Sequence, residues 1–384
     1  MLVITNGRIY TGSGEVFERG SVSVENGRIT AVGPDVEIDS TAEVIDAGGR
    51  PVTPGLVEAH GHVGVADEGI GWEGDDVNER TDPVTSNVSA LDGINPRDRG
   101  FRDFLRGGIT SVQIDPGSAN VIGGFTVAAK TAPAASVDEM IIRDRTGMKA
   151  ALGENPKRVH GLDNERAPYT RMGAAAIMRE WLFRAREYGR KREENRAERD
   201  YDARLEALVP VVRGEIPLRV HCHRADDMLT AIRIAEEFDL VYTLEHATHG
   251  HKLPEYLADR KIRCAVGPSM SREAKVELEG VGFDTAVAFE RAGVPYCLIT
   301  DHPVVRARYL HMIAGIASAH GVGDGGALAA VTLSAAKHVG IEDRVGSLEP
   351  GKDADIVIWN GDPLDGRSEP SAVFIDGRKV HGDT

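Results

Sequence analysis

The alternation of apolar and polar positions divides the chain into three parts. Residues 1–49 read as short strands (Leu2-Val3-Ile4, Arg8-Ile9-Tyr10, Ser21-Val22-Ser23-Val24, Arg28-Ile29-Thr30-Ala31-Val32), with Asn6-Gly7 and Asn26-Gly27 between them. Asn-Gly supplies the backbone conformation a two-residue hairpin needs, so these predict a small antiparallel unit with a last strand at 43–46. The other end has the same texture. Asp355-Ile356-Val357-Ile358-Trp359 leads to Asn360-Gly361, and Ala372-Val373-Phe374-Ile375 turns at Asp376-Gly377 into Arg378-Lys379-Val380. Two strand-rich ends around a different middle predict a composite β-sandwich built from 1–52 and 344–384.

The middle, 53–343, alternates apolar runs with amphipathic stretches, the pattern of an α/β fold with a parallel sheet. Strands are expected at 56–63, 110–114, 139–143, 218–223, 241–246, 263–266 and 296–300, with an eighth near 124–130. Helices are expected between them, at 96–107, 226–238, 253–259 and 284–292. Eight such units fit a closed (β/α)8 TIM-like barrel. Residues 171–208 read as helix, heavily charged after Trp181, a solvated face with charge pairs one turn apart.

Composition narrows the functional classes. With 384 residues and 41% hydrophobic positions there is material for a large core. The formal net charge of −15 repels phosphate backbones and disfavours a nucleic-acid partner. Cys222, Cys264 and Cys297 are far apart and odd in number, which predicts reduced thiols and a cytoplasmic protein. No run approaches the ~18 apolar residues of a membrane span. A small-molecule substrate is the expected partner, and a homo-oligomer is compatible with everything above.

The candidate chemistry sits where predicted strands end. In Pro54-Gly55-Leu56-Val57-Glu58-Ala59-His60-Gly61-His62 an apolar strand runs into two histidines at i and i+2, which share a face. Arg219-Val220-His221-Cys222-His223, Thr243-Leu244-Glu245-His246 and Cys297-Leu298-Ile299-Thr300-Asp301 end three later strands. In a barrel these ends form the mouth, so nitrogen and oxygen donors from four strands converge as a divalent-metal constellation, without thiolate. His223 shares the face of His221 and is a ligand or substrate contact, while Cys222 alternates toward the core. His249 and His251 follow beside His246 as pocket candidates. His302 points away from Asp301. His160, His311, His320, His338 and His381 lack such placement and read as structural or exposed. The Gly117–Gly124 stretch lacks the lysine of a phosphate loop and reads as a substrate or metal loop.

Together these stretches resemble the metal-dependent amidohydrolase superfamily, in particular its imidazolonepropionase-like branch. The resemblance rests on Pro54–His62, Pro116–Gly124, Gly147–Arg158, the strand-end His221, His246 and Asp301, and Gly346-Ser347-Leu348-Glu349-Pro350-Gly351-Lys352-Asp353-Ala354-Asp355. It implies one or two divalent metals, Zn²⁺ first among them, held by His60, His62 and Asp301, with His221 and His246 as further ligands. His246 contacts substrate in some mononuclear members. It implies a bridging carboxylate or carboxylated lysine, for which Glu154 is the choice and Lys149 and Lys130 the alternatives. The expected reaction is hydrolysis of a C–N bond in an amide, cyclic amide or dipeptide-like substrate, with Asp301 as general base and acid, His246 polarising the carbonyl, and His223 and His249 contacting substrate. Imidazolonepropionase carries His-Ala-Asp-Glu where this chain has His221-Cys222-His223-Arg224, which tells against that activity. Deaminase chemistry and a non-catalytic assembly protein on the same fold are the competing readings.

Overall fold

The structure, a computed structural model, describes residues 1–194 and 201–382. The middle of the chain forms one sheet of eight barrel strands: β1 (Leu56–Gly61), β2 (Ile109–Ile114), β3 (Ile122–Lys130), β4 (Ile141–Ala151), β5 (Leu218–Cys222), β6 (Tyr242–His246), β7 (Arg263–Val266) and β8 (Tyr296–Leu298). They are hydrogen-bonded in sequence order from β1 to β8, and Val84–Ser89 adds a short parallel neighbour on β3. β1 and β8 form no ladder. Their seam is bridged by the buried Glu58 carboxylate, which accepts from the Thr300 backbone N–H at 3.1 Å and its hydroxyl at 2.5 Å, and by His62 N–H donating to the His302 carbonyl at 2.8 Å. The fold is a nearly closed TIM-like barrel.

One strand departs from the expected all-parallel pattern. β3 runs antiparallel to both β2 and β4. Only residues 115–121 and 131–140 join it to its neighbours, too few for a crossover that returns a strand in the same direction. β4 also extends well past the predicted 139–143, through Gly147 to Ala151. A Cβ at Gly147 would lie 2.5 Å from Arg219 Nε, so glycine there is what lets the buried guanidinium lie across the strand.

Each strand divides its side chains between two faces. On β5, Leu218, Val220 and Cys222 join the helices in the large outer core, whereas Arg219, His221 and His223 take the other face. Helices Gly100–Arg106, Ala225–Glu237, Pro254–Asp259 and Asp284–Ala292 lie close to expectation. The long helix Arg171–Glu193 precedes Ala203–Val212, and its surface carries pairs such as Arg190 with Glu187 and Glu194, both at 2.9 Å. The part of the predicted charged helix at 195–200 lies outside the described residues, as do 383–384 of the C-terminal segment.

The strands from the two ends hydrogen-bond into a single sheet, ordered Arg378–His381, Pro370–Ile375, Ile356–Trp359, Pro51–Pro54, Leu2–Tyr10, Val16–Glu25, Arg28–Gly33, with Glu43–Asp46 also on Leu2–Tyr10. Asn26-Gly27 and Asp376-Gly377 are hairpin turns with positive φ, as expected. Asn6-Gly7 is not. Leu2–Tyr10 is one strand with a register shift there, and Gly7 lets Val52 approach where a Cβ would meet it at 2.7 Å.

Candidate metal centre

The carboxyl ends of β1, β4, β5, β6 and β8 open on a cavity of about 800 Å³. Two groups of donors face it. His60, His62 and Asp301 form the first, His221, His223 and His246 the second, and within each group the donor atoms lie within 4.8 Å of one another. The groups adjoin, with the His60 and His246 rings 4.8 Å apart between centroids. In the first group His62 Nε2 is 3.2 Å and His60 Nε2 3.8 Å from Asp301 Oδ1. In the second the centroids are 4.4 to 4.8 Å apart.

The backbone is turned to make this possible. His246, Ala247 and Asp301 adopt positive φ of 73°, 42° and 54°, a conformation that costs non-glycine residues free energy and is concentrated at functional sites. The turn at His246 breaks the alternation of β6, so Glu245 and His246 both reach imidazoles of the donor groups despite being consecutive.

Hydrogen bonds to the far side of the rings decide which nitrogen faces the cavity. His62 Nδ1 donates to the Asp115 carbonyl at 2.8 Å and His246 Nδ1 to the Gly267 carbonyl at 2.9 Å. His60 Nδ1 lies 3.0 Å from the Glu245 carboxylate and His223 Nδ1 2.8 Å from the Thr248 hydroxyl. The carbonyl and carboxylate acceptors put the proton of His62, His246 and His60 on Nδ1, so that in the neutral ring the Nε2 lone pair is left for a metal. His221 is the exception: Nε2 is 3.4 Å from the Asn155 amide, and the buried Nδ1 has no hydrogen-bond partner among the described residues.

Electrostatics agree with the geometry. Burial pushes His246 down to about 3 against the pull of Asp301, and holds His221 and His223 well below the usual range, helped by the neighbouring imidazoles. Burial alone would raise the Asp301 carboxyl, but His246, His62 and His60 outweigh it and keep the group anionic. Five imidazoles, three of them (His221, His223 and His246) held neutral by burial, and one anionic carboxylate in one cavity fit divalent metal of the Zn²⁺ class.

Lys149, on β4, stands between the groups. Only 1% exposed, its Nζ is 2.8 Å from His60 Nε2 and 4.0 Å from Asp115. Glu154, the sequence-based choice for the bridging position, opens the short turn of helix after β4 and lines the cavity rim. Its backbone N–H donates to Glu277 at 2.9 Å, and its carboxylate joins neither donor group among the described residues. Lys130 is at the opposite end of the barrel, on Asp353 and Asp355. His249 is turned to the Glu279 carbonyl at 3.0 Å and does not line this cavity, whereas His223 does. Gly117 and Ser118 line it too. His302 is buried on Phe104. All three cysteines are buried and free, with Cys222 in the outer core.

Asp115 and Glu245 hold His62 and His60 of the first donor group, and sequence reasoning left both out. Asp115 ends β2 as His246 ends β6, so the strand-end criterion covers it. Glu245 carried no signal beyond adjacency to His246.

The sequence model of the Amidohydrolase family matches residues 244–380. The chain is 33% identical to the amidohydrolase tasK of Hapsidospora irregularis over 95% of its own length, but spans only 40% of that protein. It is 30% identical to the imidazolonepropionase of Geobacillus kaustophilus strain HTA426, covering 90% of this chain and 84% of that one. Against the crystal structure of an amidohydrolase from Thermotoga maritima MSB8 the TM-score is 0.96 with 41% identity, and both chains are covered completely. Shared sequence along nearly the whole length, and a fold that superposes end to end, make this chain a member of the amidohydrolase superfamily, a hydrolase acting on carbon–nitrogen bonds.

Proposed function

We propose that the protein hydrolyses an amide, cyclic amide or dipeptide-like substrate at a binuclear centre, with His60, His62 and Asp301 holding one divalent ion and His221, His223 and His246 the other. The observation that carries this is the convergence of two three-residue donor groups on one cavity, one of them including a carboxylate held in its anionic form. A bound divalent metal supplies an acidified water, lowering its pKa from ~15.7 toward ~7, and polarises the substrate carbonyl. Asp301 takes the proton of the attacking water and returns it to the leaving nitrogen. The rim residues, Asn155 and Ser118 among them, orient the substrate (Asn155 Nδ2 already donates to the Ser118 hydroxyl at 2.8 Å).

We assign the bridging position to Lys149 in place of Glu154. A free ammonium 2.8 Å from a ligand nitrogen would repel a cation, so the role requires addition of CO₂ to the neutral amine, giving a carbamate and a released proton. We further read the terminal sheet as a small sandwich closed around its own apolar cluster, which includes Ile4, Val22, Ile356 and Phe374, and the barrel as a second unit beginning near residue 53.

The test is metal analysis of protein purified without chelator, followed by a panel of dipeptides, N-acyl amino acids and cyclic amides. Two equivalents of metal and turnover on the panel are expected. Asp301→Asn should lower kcat by about 10²–10⁴-fold while the protein stays folded. Wild-type rates in a folded, metal-loaded Asp301→Asn protein would refute the assignment. Release of ammonia from an amino-substituted ring, without hydrolysis of the panel, would replace it with deaminase chemistry. Absence of metal and turnover would favour the assembly reading.

A further inference from the structure

Beneath the first donor group lies a chain of polar groups that the reaction itself does not use. His60 Nδ1 is 3.0 Å from Glu245 Oε2. The other side of the same carboxylate is occupied by His338 Nε2, at 3.0 Å from Oε1 and 3.2 Å from Oε2, and by the Thr243 hydroxyl at 2.6 Å. His338 belongs to the helix Leu333–Val339, far from the mouth in sequence and buried. Its backbone is fixed as well, because Arg219 donates to the carbonyls of His338 at 3.2 Å and Val339 at 2.9 Å. Glu245 is fully buried, so its orientation is set by these donors and not by solvent.

We propose that Glu245 is a positioning residue for the first metal seat, acting through His60, and that His338 keeps its carboxylate aimed at that ring. This rests on reading His60, His62 and Asp301 as a metal seat. The chemistry is that of a carboxylate behind a ligand imidazole. By accepting from Nδ1–H it fixes the tautomer and ring plane and raises the basicity of Nε2. Asp115 is the rival acceptor, but its carboxylate is 3.8 Å from His60 Nδ1, beyond hydrogen-bond distance, and is occupied by the Gln113 amide at 3.2 and 3.3 Å. His338 cannot reach the cavity itself. Its side chain meets the seat through the carboxylate, whose Oε1 also lies 3.7 Å from Arg219 Nη1.

The experiment measures stepwise Co²⁺ and Zn²⁺ affinities by chelator competition, with the Co²⁺ visible spectrum and far-ultraviolet circular dichroism, on wild type and variants. Glu245→Gln is expected to weaken one equivalent about 10–100-fold, leave the other in place, and keep a native dichroism spectrum. His338→Leu removes the donor behind the carboxylate and should shift the same equivalent in the same direction. His338→Gln, which keeps an N–H donor, should return it toward wild type. If Glu245→Gln does not fold, the two His338 variants decide the matter. The proposal is overturned if both equivalents bind with wild-type affinity in a folded Glu245→Gln or His338→Leu protein, or if both fall alike together with the dichroism signal. Wild-type protein that binds no metal would instead overturn the underlying metal reading, and this inference with it.

Discussion

Lys130→Met should destabilise the protein by about 3–5 kcal/mol without touching the metal centre. Lys130 ends β3 on the side of the barrel away from the mouth and is 5% exposed. Its Nζ is 2.8 Å from both oxygens of Asp355 and 2.9 Å from Asp353. Asp353 would survive the loss, because Arg344 holds it at 2.8 Å and Arg28 also pairs with it. Asp355 would not. Its remaining contacts are the Asp376 N–H at 3.1 Å and the Ser111 hydroxyl at 3.5 Å, and it is 3% exposed. One ion pair at this spacing is worth ~6 kcal/mol at an effective dielectric constant of about 20. Part of that only offsets the burial of the lysine, which the variant no longer suffers, and the 3–5 kcal/mol range is what remains. The pH dependence has a definite sign. Burial raises the Asp355 carboxyl above its ordinary 3.8 even against the pull of Lys130, and loss of the lysine raises it further. The folded state then holds a proton that the unfolded state gives up, so the penalty is complete above the folded pKa and fades as pH falls toward 3.8. Urea denaturation of the metal-free protein at pH 7 and pH 4.5, with Lys130→Met and Lys130→Met/Asp355→Asn beside wild type, measures this. The double variant should recover most of the loss, since no buried charge is left unpaired. A loss below about 1 kcal/mol, or a double variant no better than the single one, would refute the argument.

Three further outcomes follow from the site. Lys149→Met should reduce bound metal from two equivalents to one or fewer, read by elemental analysis; two retained equivalents would remove Lys149 from the bridging role. Three depressed imidazoles should make the metal-free protein lose stability as pH falls below 6.5, against the opposite pull of Glu58, raised to about 8, and of His60, also raised. His221, His223 and His246 stay neutral in the folded state, His246 down to about 3, while the unfolded chain takes up their protons near 6.5. Each therefore contributes up to ~1.4 kcal/mol per pH unit across that window, and His223→Asn should flatten the slope by one proton; a flat urea midpoint between pH 7.5 and 5 would contradict it. Arg219→Met leaves the carbonyls of Thr146, His338 and Val339 without their donor, and at ~1–3 kcal/mol for each unsatisfied group should leave the chain mostly unfolded at 37 °C by thermal melting.

Much of the site was legible because a strand that ends in a polar residue announces both its direction and its mouth. His60, His62, His221, His246 and Asp301 all stand at the ends of short strand-forming stretches that contain leucine or β-branched residues, and the structure brings them to one cavity. Lys149 was harder to place. Thr146-Gly147 looks like the end of a strand, and only the Arg219 side chain lying across Gly147 explains why β4 continues through it. A period of two gives a strand's faces but not its direction, so the pattern marks β3 without its reversal. The length of the connecting segments held that information. Glu245 and His338 were invisible for a different reason: their contact spans 93 positions, and nothing local in either segment reports it.

The order of strands in the terminal sheet also sets a timetable. Pro51–Pro54 pairs on one side with Leu2–Tyr10 and on the other with Ile356–Trp359, about three hundred residues later. At a synthesis rate of ~5–20 residues per second, that second partner arrives on the order of 15–60 s after the first. Closing so long a loop costs ~5 kcal/mol of chain entropy, which a folded barrel bringing the two segments together largely removes. Until then Pro51–Pro54 is an open edge on a nascent chain, the kind of surface on which neighbouring polypeptides aggregate. The prolines at its two ends lack the N–H groups that a stray strand would need, so the waiting edge offers a poor template to anything but its own late partner.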